Sequence, residues 1–385
     1  MEAGEGTAVE WNLSPEQSAY AEAFRGWLAD VAPPDTVRRW LDAGDATAFE
    51  KLFSAAGWAG VGLPEELGGQ GGGLVELALT AEELARAAVP SAGWLATALA
   101  VPALALAGRR DLAEHALSGQ TAAYLAPAEC VPDEAPCLTA NAAGAVSGTV
   151  PRVLAGDTAA WFVVPVVSPG SLPGARAGSA GGATAGGPEL RLVEASAPGV
   201  TRARRKLLDR SRSAADVTLD RAPSQPLGLA GPAEVRRQAA ARAAVLVAAD
   251  SLGASAKMLD LAVAYSKQRH QFGVPIGSFQ AVKHAAATML VGVEAARSAV
   301  YFAAASVDAG GPEAFLPAAA VKAQVTAEGA LAADSALTLH GAIGYTWEYD
   351  LQLFFKRARL DEKLLGSPAR WNERIADGLA LVPPS

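Results

Sequence analysis

Only two cysteines, Cys130 and Cys137, occur in 385 residues, too few for a disulfide scaffold or a thiolate zinc site, and a reduced, cytoplasmic compartment is the expectation. Histidine is nearly as scarce. His115, His270, His284 and His340 show no metal-ligand spacing. Basic residues are outnumbered, 32 Lys+Arg against 40 Asp+Glu for a net charge of −8, which excludes the concentrated positive field that nucleic-acid binding requires. At 19% charged and 51% hydrophobic, with a mean hydropathy of +0.18, the chain is too apolar for disorder. No signal peptide opens it: Met1 to Glu10 is acidic, without a basic n-region or an apolar h-region. The longest uncharged run, Ala87 to Gly108, is built on alanine and interrupted by Pro90 and Pro102; it reads as a buried core helix rather than a membrane span. A Gly-x-Gly-x-x-Gly after a strand, a Walker loop and a Gly-x-Ser-x-Gly elbow are all missing, so nucleophilic and metal chemistry have little support.

What is present is alanine, in large excess, favouring helix wherever Gly and Pro do not interrupt. Texture divides the chain into three. Residues 1–119 read as helical, with a capping box at Ser14-Pro15-Glu16-Gln17 and a Gly-rich turn from Leu67 to Gly73. A helical period resumes at Leu74, with Glu82 and Glu83 on its polar side. Residues 120–228 read as strands: Thr121 to Ala126, the β-branched run Trp161 to Val167, and the alternating Asp216 to Asp220. Between them, 168–188 is a Gly-rich excursion expected to carry no chemistry. Residues 229–385 return to helix. Ala233 to Gln268 is free of Pro, with only Gly253 inside it, and Phe279 to Ala309 and Pro317 to Leu339 follow. Long helices with short links predict a four-helix bundle.

Two segments carry candidate chemistry. Tyr265 to Ile276 closes one long helix with a Gly/Pro turn, and Phe279-Gln280 opens the next. An arginine and an aromatic at such a corner can meet an anionic, planar ligand, Arg269 for a phosphate and Phe272 for a ring face. The second segment is His340-Gly341-Ala342-Ile343-Gly344-Tyr345, then Thr346-Trp347-Glu348, whose small residues let a ligand approach the backbone. By turn-residue logic each also reads as a plain helix–helix corner.

These motifs, with Leu63-Pro64-Glu65-Glu66-Leu67-Gly68-Gly69-Gln70-Gly71 before them, resemble the acyl-CoA dehydrogenase superfamily over nearly the whole chain. The resemblance implies an α+β fold: an N-terminal helical domain, a middle β-barrel or sandwich, and a C-terminal four-helix bundle. It implies FAD, a CoA-thioester substrate, and α,β-dehydrogenation, in which a carboxylate takes the α-proton and the β-hydrogen leaves as hydride. It also implies a tetramer and an electron-transfer flavoprotein or similar acceptor. Arg269 would contact the FAD pyrophosphate and Phe272 its ring system, with Gln280 in the same corner. The adenosine end would approach Gly341 and Gly344. Thr338 stands where the family usually has Gln, and Ala342 where it usually has Gly.

Two expected parts are absent. The family's Thr-Glu-Pro-x-Ala-Gly-Ser loop and Trp-containing strand are replaced by Ala128-Glu129-Cys130-Val131-Pro132-Asp133 and Gly148-Thr149-Val150-Pro151-Arg152-Val153. Trp161, on the following strand, reads as core. The family's usual base position aligns with Leu365, and its alternative on the first bundle helix falls on Ala243 and Ala244. Asp250, Glu362 and Glu348 are weaker substitutes; Asp250 shares the face of Ala243 but lies about 10 Å along the axis. The run Arg202 to Lys206 reads as a solvated loop before a CoA-phosphate contact. The pattern is similar to the actinobacterial heteromeric branch that acts on steroid side chains, with this chain as the subunit lacking the base. Two other readings stand beside it: a self-sufficient homotetramer using Asp250 or Glu362 on an acyl-CoA or carrier-bound chain, and a structural partner without cofactor.

Overall fold

The computed structural model describes residues 12–167, 188–311 and 314–379. Met1 to Glu10, and the Gly-rich excursion apart from Pro188, lie outside them. Six helices come first: α1 (Pro15–Val31), α2 (Pro34–Ala43), α3 (Thr47–Ala55), α4 (Leu74–Arg86), α5 (Ala92–Leu106) and α6 (Arg110–Leu117). Strands follow: β1 (Ala122–Tyr124), β2 (Leu138–Ala140), β3 (Val146–Leu154), β4 (Trp161–Val167), β5 (Glu189–Glu194), β6 (Val200–Arg205), β7 (Ala214–Ala222) and β8 (Gln225–Pro226). The rest is α7 (Pro232–Gln268), the small hairpin β9 (His270–Gln271) and β10 (Val274–Pro275), then α8 (Gln280–Ala309), α9 (Phe315–His340), α10 (Leu351–Asp361) and α11 (Pro368–Gly378).

The three textures are a division of elements rather than of packing. The chain forms two compact units, one of residues 1–45, 71–90 and 241–385, the other of 46–70 and 91–240. The N-terminal helices are shared out between them. In the first unit the capping box forms as its spacing requires: Ser14 Oγ accepts from the Gln17 amide at 3.2 Å, and Gln17 Oε1 accepts from the Ser14 amide at 2.9 Å. Gly253 is explained by a close crossing of α7 on α4, since a Cβ there would lie 2.0 Å from the Glu82 carbonyl oxygen.

Glu82 and Glu83 are a correction to the helical period, because both are buried rather than solvent-facing. Each is answered by an arginine distant in sequence. Arg297 Nη1 donates to Glu82 Oε1 at 2.5 Å, and the Tyr301 hydroxyl donates to Oε2. Arg25 donates to both oxygens of Glu83, at 2.9 and 2.6 Å. Pairing of this kind is the condition on which a carboxylate enters a core.

In the second unit, one eight-stranded sheet runs in the order β6-β7-β3-β2-β4-β5-β8, with β1 pairing parallel to β4. Its core joins Leu104 and Leu112 of α5 and α6 to Tyr124, Val163, Leu190 and Leu192 of the sheet. The uncharged Ala87–Gly108 stretch contains α5, which is almost wholly buried, with Pro102 inside it. The run Arg202 to Arg205 is strand β6 rather than a loop, and its cations are used locally. Arg202 donates to the Asp157 and Ala159 carbonyls at 3.0 Å, and Arg205 pairs with Asp216. By length and composition α7 and α8 could cross a membrane, but the apolar window of α7 is 94% buried within the protein.

Candidate functional site

Both motif segments belong to the first unit, and ring contacts join them. At the end of α9, His340 is buried, its ring 4.8 Å from that of Tyr265 near the end of α7 and 4.9 Å from that of Tyr349. Its Nδ1 is 2.7 Å from the Ala336 carbonyl oxygen, and its Nε2 is 3.2 Å from the Tyr349 hydroxyl. Burial lowers the imidazole pKa below its usual value, so the ring is held neutral as a packing element.

Beyond Tyr265 the chain leaves α7 as a hairpin. Val274 pairs with Gln271 and Pro275 with His270, and the Ile276 amide donates to the Arg269 carbonyl at 2.8 Å. The turn is Phe272-Gly273, with φ +53° and +80°, the left-handed pair that a tight hairpin demands and that Phe adopts only under strain. Phe272 is 94% exposed and meets its own chain at the edge of Phe279, 6.2 Å between centroids. Arg269 and Gln280 are exposed as well. Phe272 is thus a large aromatic exposed at a strained tip.

Thr338 and Gly341 are exposed, and the Thr338 hydroxyl donates to the Asp334 carbonyl at 2.9 Å. Gly341 has φ +66° with open space where a Cβ would stand. Gly344 behaves differently. It is buried, and a Cβ there would lie 2.9 Å from Leu337 Cδ1 and 3.1 Å from His340 and Leu351. Its smallness serves packing against these three side chains.

Among the candidate bases, Asp250 and Glu362 are engaged by basic side chains, whereas no partner holds the Glu348 carboxylate among the described residues. Leu365 is 4% exposed with φ +55°, and its carbonyl accepts from Trp371 Nε1 at 3.0 Å. Ala243 and Ala244 are fully buried. Both oxygens of Asp250 are taken by Arg357, at 2.6 and 2.7 Å, and the pair is buried. Glu362 is half-buried, 3.1 Å from Lys363 and 4.0 Å from Arg359. Glu348 is exposed.

The fit to FAD divides in the same way. The exposed Arg269, whose guanidinium has no partner among the described residues, and the exposed Phe272 ring fit a pyrophosphate and a planar ring. In the second unit polar groups along β3 and β7 are spent on one another, whereas the buried Tyr124 hydroxyl of β1 has no hydrogen-bond partner among the described residues. Arg152, itself at φ +48°, pairs with Glu129, and its amide donates to Asp216 at 2.9 Å. The Thr149 hydroxyl shares a hydrogen with Thr218 at 3.0 Å. Asp216 is pulled down to about 2, first by its bond from Arg205 and then by the Arg152 amide. Trp161 packs against the core of this unit, 5.9 Å from the His115 ring. The paired groups among these are not available to an isoalloxazine.

Sequence reasoning misses Lys322, which is fully buried in α9 and donates to the Asp361 and Gly366 carbonyls at 3.1 and 2.8 Å. It thereby braces the turn that contains Leu365. The one available signal is a lone lysine in an otherwise apolar helical stretch.

Comparison with known proteins places these features in a family. The acyl-CoA dehydrogenase N-terminal domain matches residues 14–122, and the acyl-CoA dehydrogenase C-terminal domain matches 233–380. Acyl-CoA dehydrogenase FadE34 of Mycobacterium tuberculosis is 34% identical over 377 residues, 94% of this chain and 48% of FadE34, so the chain spans about half that relative's length. Acyl-CoA dehydrogenase IpdE2 of Mycolicibacterium smegmatis is 32% identical over 368 residues, 94% of this chain and 98% of IpdE2. Among solved structures, a point variant of the Tcur3481-Tcur3483 steroid ACAD matches with a TM-score of 0.82 at 27% identity, covering 95% of this chain and 98% of that one. The ChsE4-ChsE5 complex from Mycobacterium tuberculosis matches with a TM-score of 0.81 at 23% identity, covering 97% and 100%. The chain belongs to the acyl-CoA dehydrogenase family, whose members are FAD-dependent oxidoreductases acting on acyl-CoA.

Proposed function

We propose that this chain is the subunit without a catalytic base in a heteromeric, cytoplasmic acyl-CoA dehydrogenase of α2β2 type, which converts an acyl-CoA thioester to the trans-2-enoyl thioester. The observation that carries this reading is the aliphatic character of both base positions, Leu365 and Ala243-Ala244, all buried. Removing a proton from carbon needs a carboxylate free to receive it, and Asp250 is occupied by Arg357. The carboxylate would come from the companion chain.

This chain's part is to hold and cover. Arg269 would bind the pyrophosphate and Phe272 the ring face of FAD shared with the companion, with Gln280, Thr338 and Gly341 contributing around them. Bound flavin supplies a hydride acceptor, and an electron-transfer flavoprotein or similar carrier would reoxidise it. The solved steroid ACAD, named as a pair of components, supports a companion and a steroid or other bulky acyl chain. The ChsE4-ChsE5 complex shares the fold.

The test is expression of the chain alone and then with its companion. The lone chain should lack flavin absorbance and leave acyl-CoA unchanged; the complex should be yellow and bleach anaerobically with substrate. Bleaching by the lone chain would sink the proposal.

A further inference from the structure

A cavity lies within the first unit, lined by none of the residues of the hairpin at Phe272. It encloses about 330 Å³ between α1, the start of α2, the end of α4, α7 and α10. Its wall is apolar, with Leu28, Val37, Ala88, Leu261 and Phe354 among the lining residues. That volume falls at the lower end of small-molecule pockets, which run from about 300 to 1,000 Å³.

Charge at the rim is almost, but not wholly, balanced. Arg25 pairs with Glu83 at 2.6 Å, and Arg86 reaches Asp260 at 2.8 Å and Glu83 at 4.0 Å. Asp350 is held by Arg38 at 2.5 Å. Lys257, half-buried on α7 and lining the cavity, has no ion-pair or hydrogen-bond partner among the described residues. One cation therefore faces an apolar cavity uncompensated. Its stem can lie along the wall while the ammonium stays at the mouth.

We propose that this cavity binds a monoanionic amphiphile, with the anion on Lys257 and a short alkyl chain against Leu28, Val37 and Phe354. At roughly 30 Å³ per water-sized group, the space holds about ten heavy atoms, the size of a medium-chain carboxylate. Dianions are disfavoured, because Glu83 and Asp350 border the same space. The site is independent of the dehydrogenation proposed above, since none of its lining residues belongs to the hairpin or to the base positions.

Calorimetric titration of the full-length protein with sodium octanoate tests this, with 1-octanol as the uncharged control. Octanoate should saturate a single site. Lys257→Met keeps the apolar stem, so it should weaken octanoate about tenfold and leave 1-octanol unchanged. Ala29→Phe, at an exposed position on the rim, should weaken both. Thermal melts of both variants control for folding. Octanoate binding that never saturates, or that survives Lys257→Met undiminished, would overturn the proposal.

Discussion

Arg357 on α10 and Asp250 on α7 form a two-bond ion pair, Nε to Oδ1 at 2.6 Å and Nη2 to Oδ2 at 2.7 Å, with side chains 0% and 3% exposed. The third arm of the guanidinium, Nη1, donates to the Val89 carbonyl at 3.0 Å, so the pair also anchors the chain just beyond α4. Cutting one partner strands the other charge in the core. Asp250→Leu or Arg357→Met alone should cost about 3–5 kcal/mol, and the double variant much less than the two together. Urea unfolding of the four proteins measures the coupling. Additive losses would mean the two side chains stabilise the fold independently.

Lys322 gives the molecule a pH-dependent stability. Burial pushes its ammonium down to about 7, while Asp361 and Glu362 act in the opposite direction and Lys363 with it. From about 7 up to the ordinary value of 10.5, the unfolded chain binds a proton that the folded chain does not. Stability contributed by this group therefore rises with pH across that window and levels off above it. Lys322→Met should flatten the slope between about pH 7 and pH 10 in urea midpoints, since one coupled group sets it. A slope that persists in the variant would assign the effect to another residue.

The parts of this fold written in local spacing are legible in sequence. Ser14 and Gln17 cap α1 because the three-residue interval is itself the mechanism, and the Phe272-Gly273 turn lies at the Gly/Pro corner that the motif marks. Helical period puts Glu82 and Glu83 on a solvent face because it sees only their charge; Arg297 and Arg25, which bring them inside, are far away in sequence. The same reason hides the partners of Asp250 and Lys322. Gly344 reads as a ligand-approach glycine in the motif, and only the packing of Leu337 and Leu351 reveals its other purpose.

Placing a carboxylate at Leu365, where the family resemblance would put the base, should not restore chemistry. Leu365 is 4% exposed at a left-handed φ of +55°, so Leu365→Glu would bury an acid in a turn that Lys322 already braces through its carbonyls and cost stability of a few kcal/mol. The lone variant should melt lower than the parent and still fail to bleach with acyl-CoA under anaerobic conditions. Turnover by the lone Leu365→Glu chain would show that this chain needs no companion for flavin or for chemistry.

Phe272 separates stability from assembly. With 94% of its surface in solvent and one edge contact to Phe279, its ring adds little to the fold of its own chain. Phe272→Ala keeps a non-glycine residue at the same φ of +53°, so the unfolding free energy should stay within about 0.5 kcal/mol of the parent. Phe272→Gly should gain up to about 1 kcal/mol by removing the left-handed penalty. Both variants delete the ring, and both should lower the flavin content of the complex with the companion chain, read as the ratio of flavin to protein absorbance. A shared loss of flavin in two variants whose stabilities move differently ties the ring to cofactor binding rather than to folding. Full flavin content in both would remove Phe272 from the site.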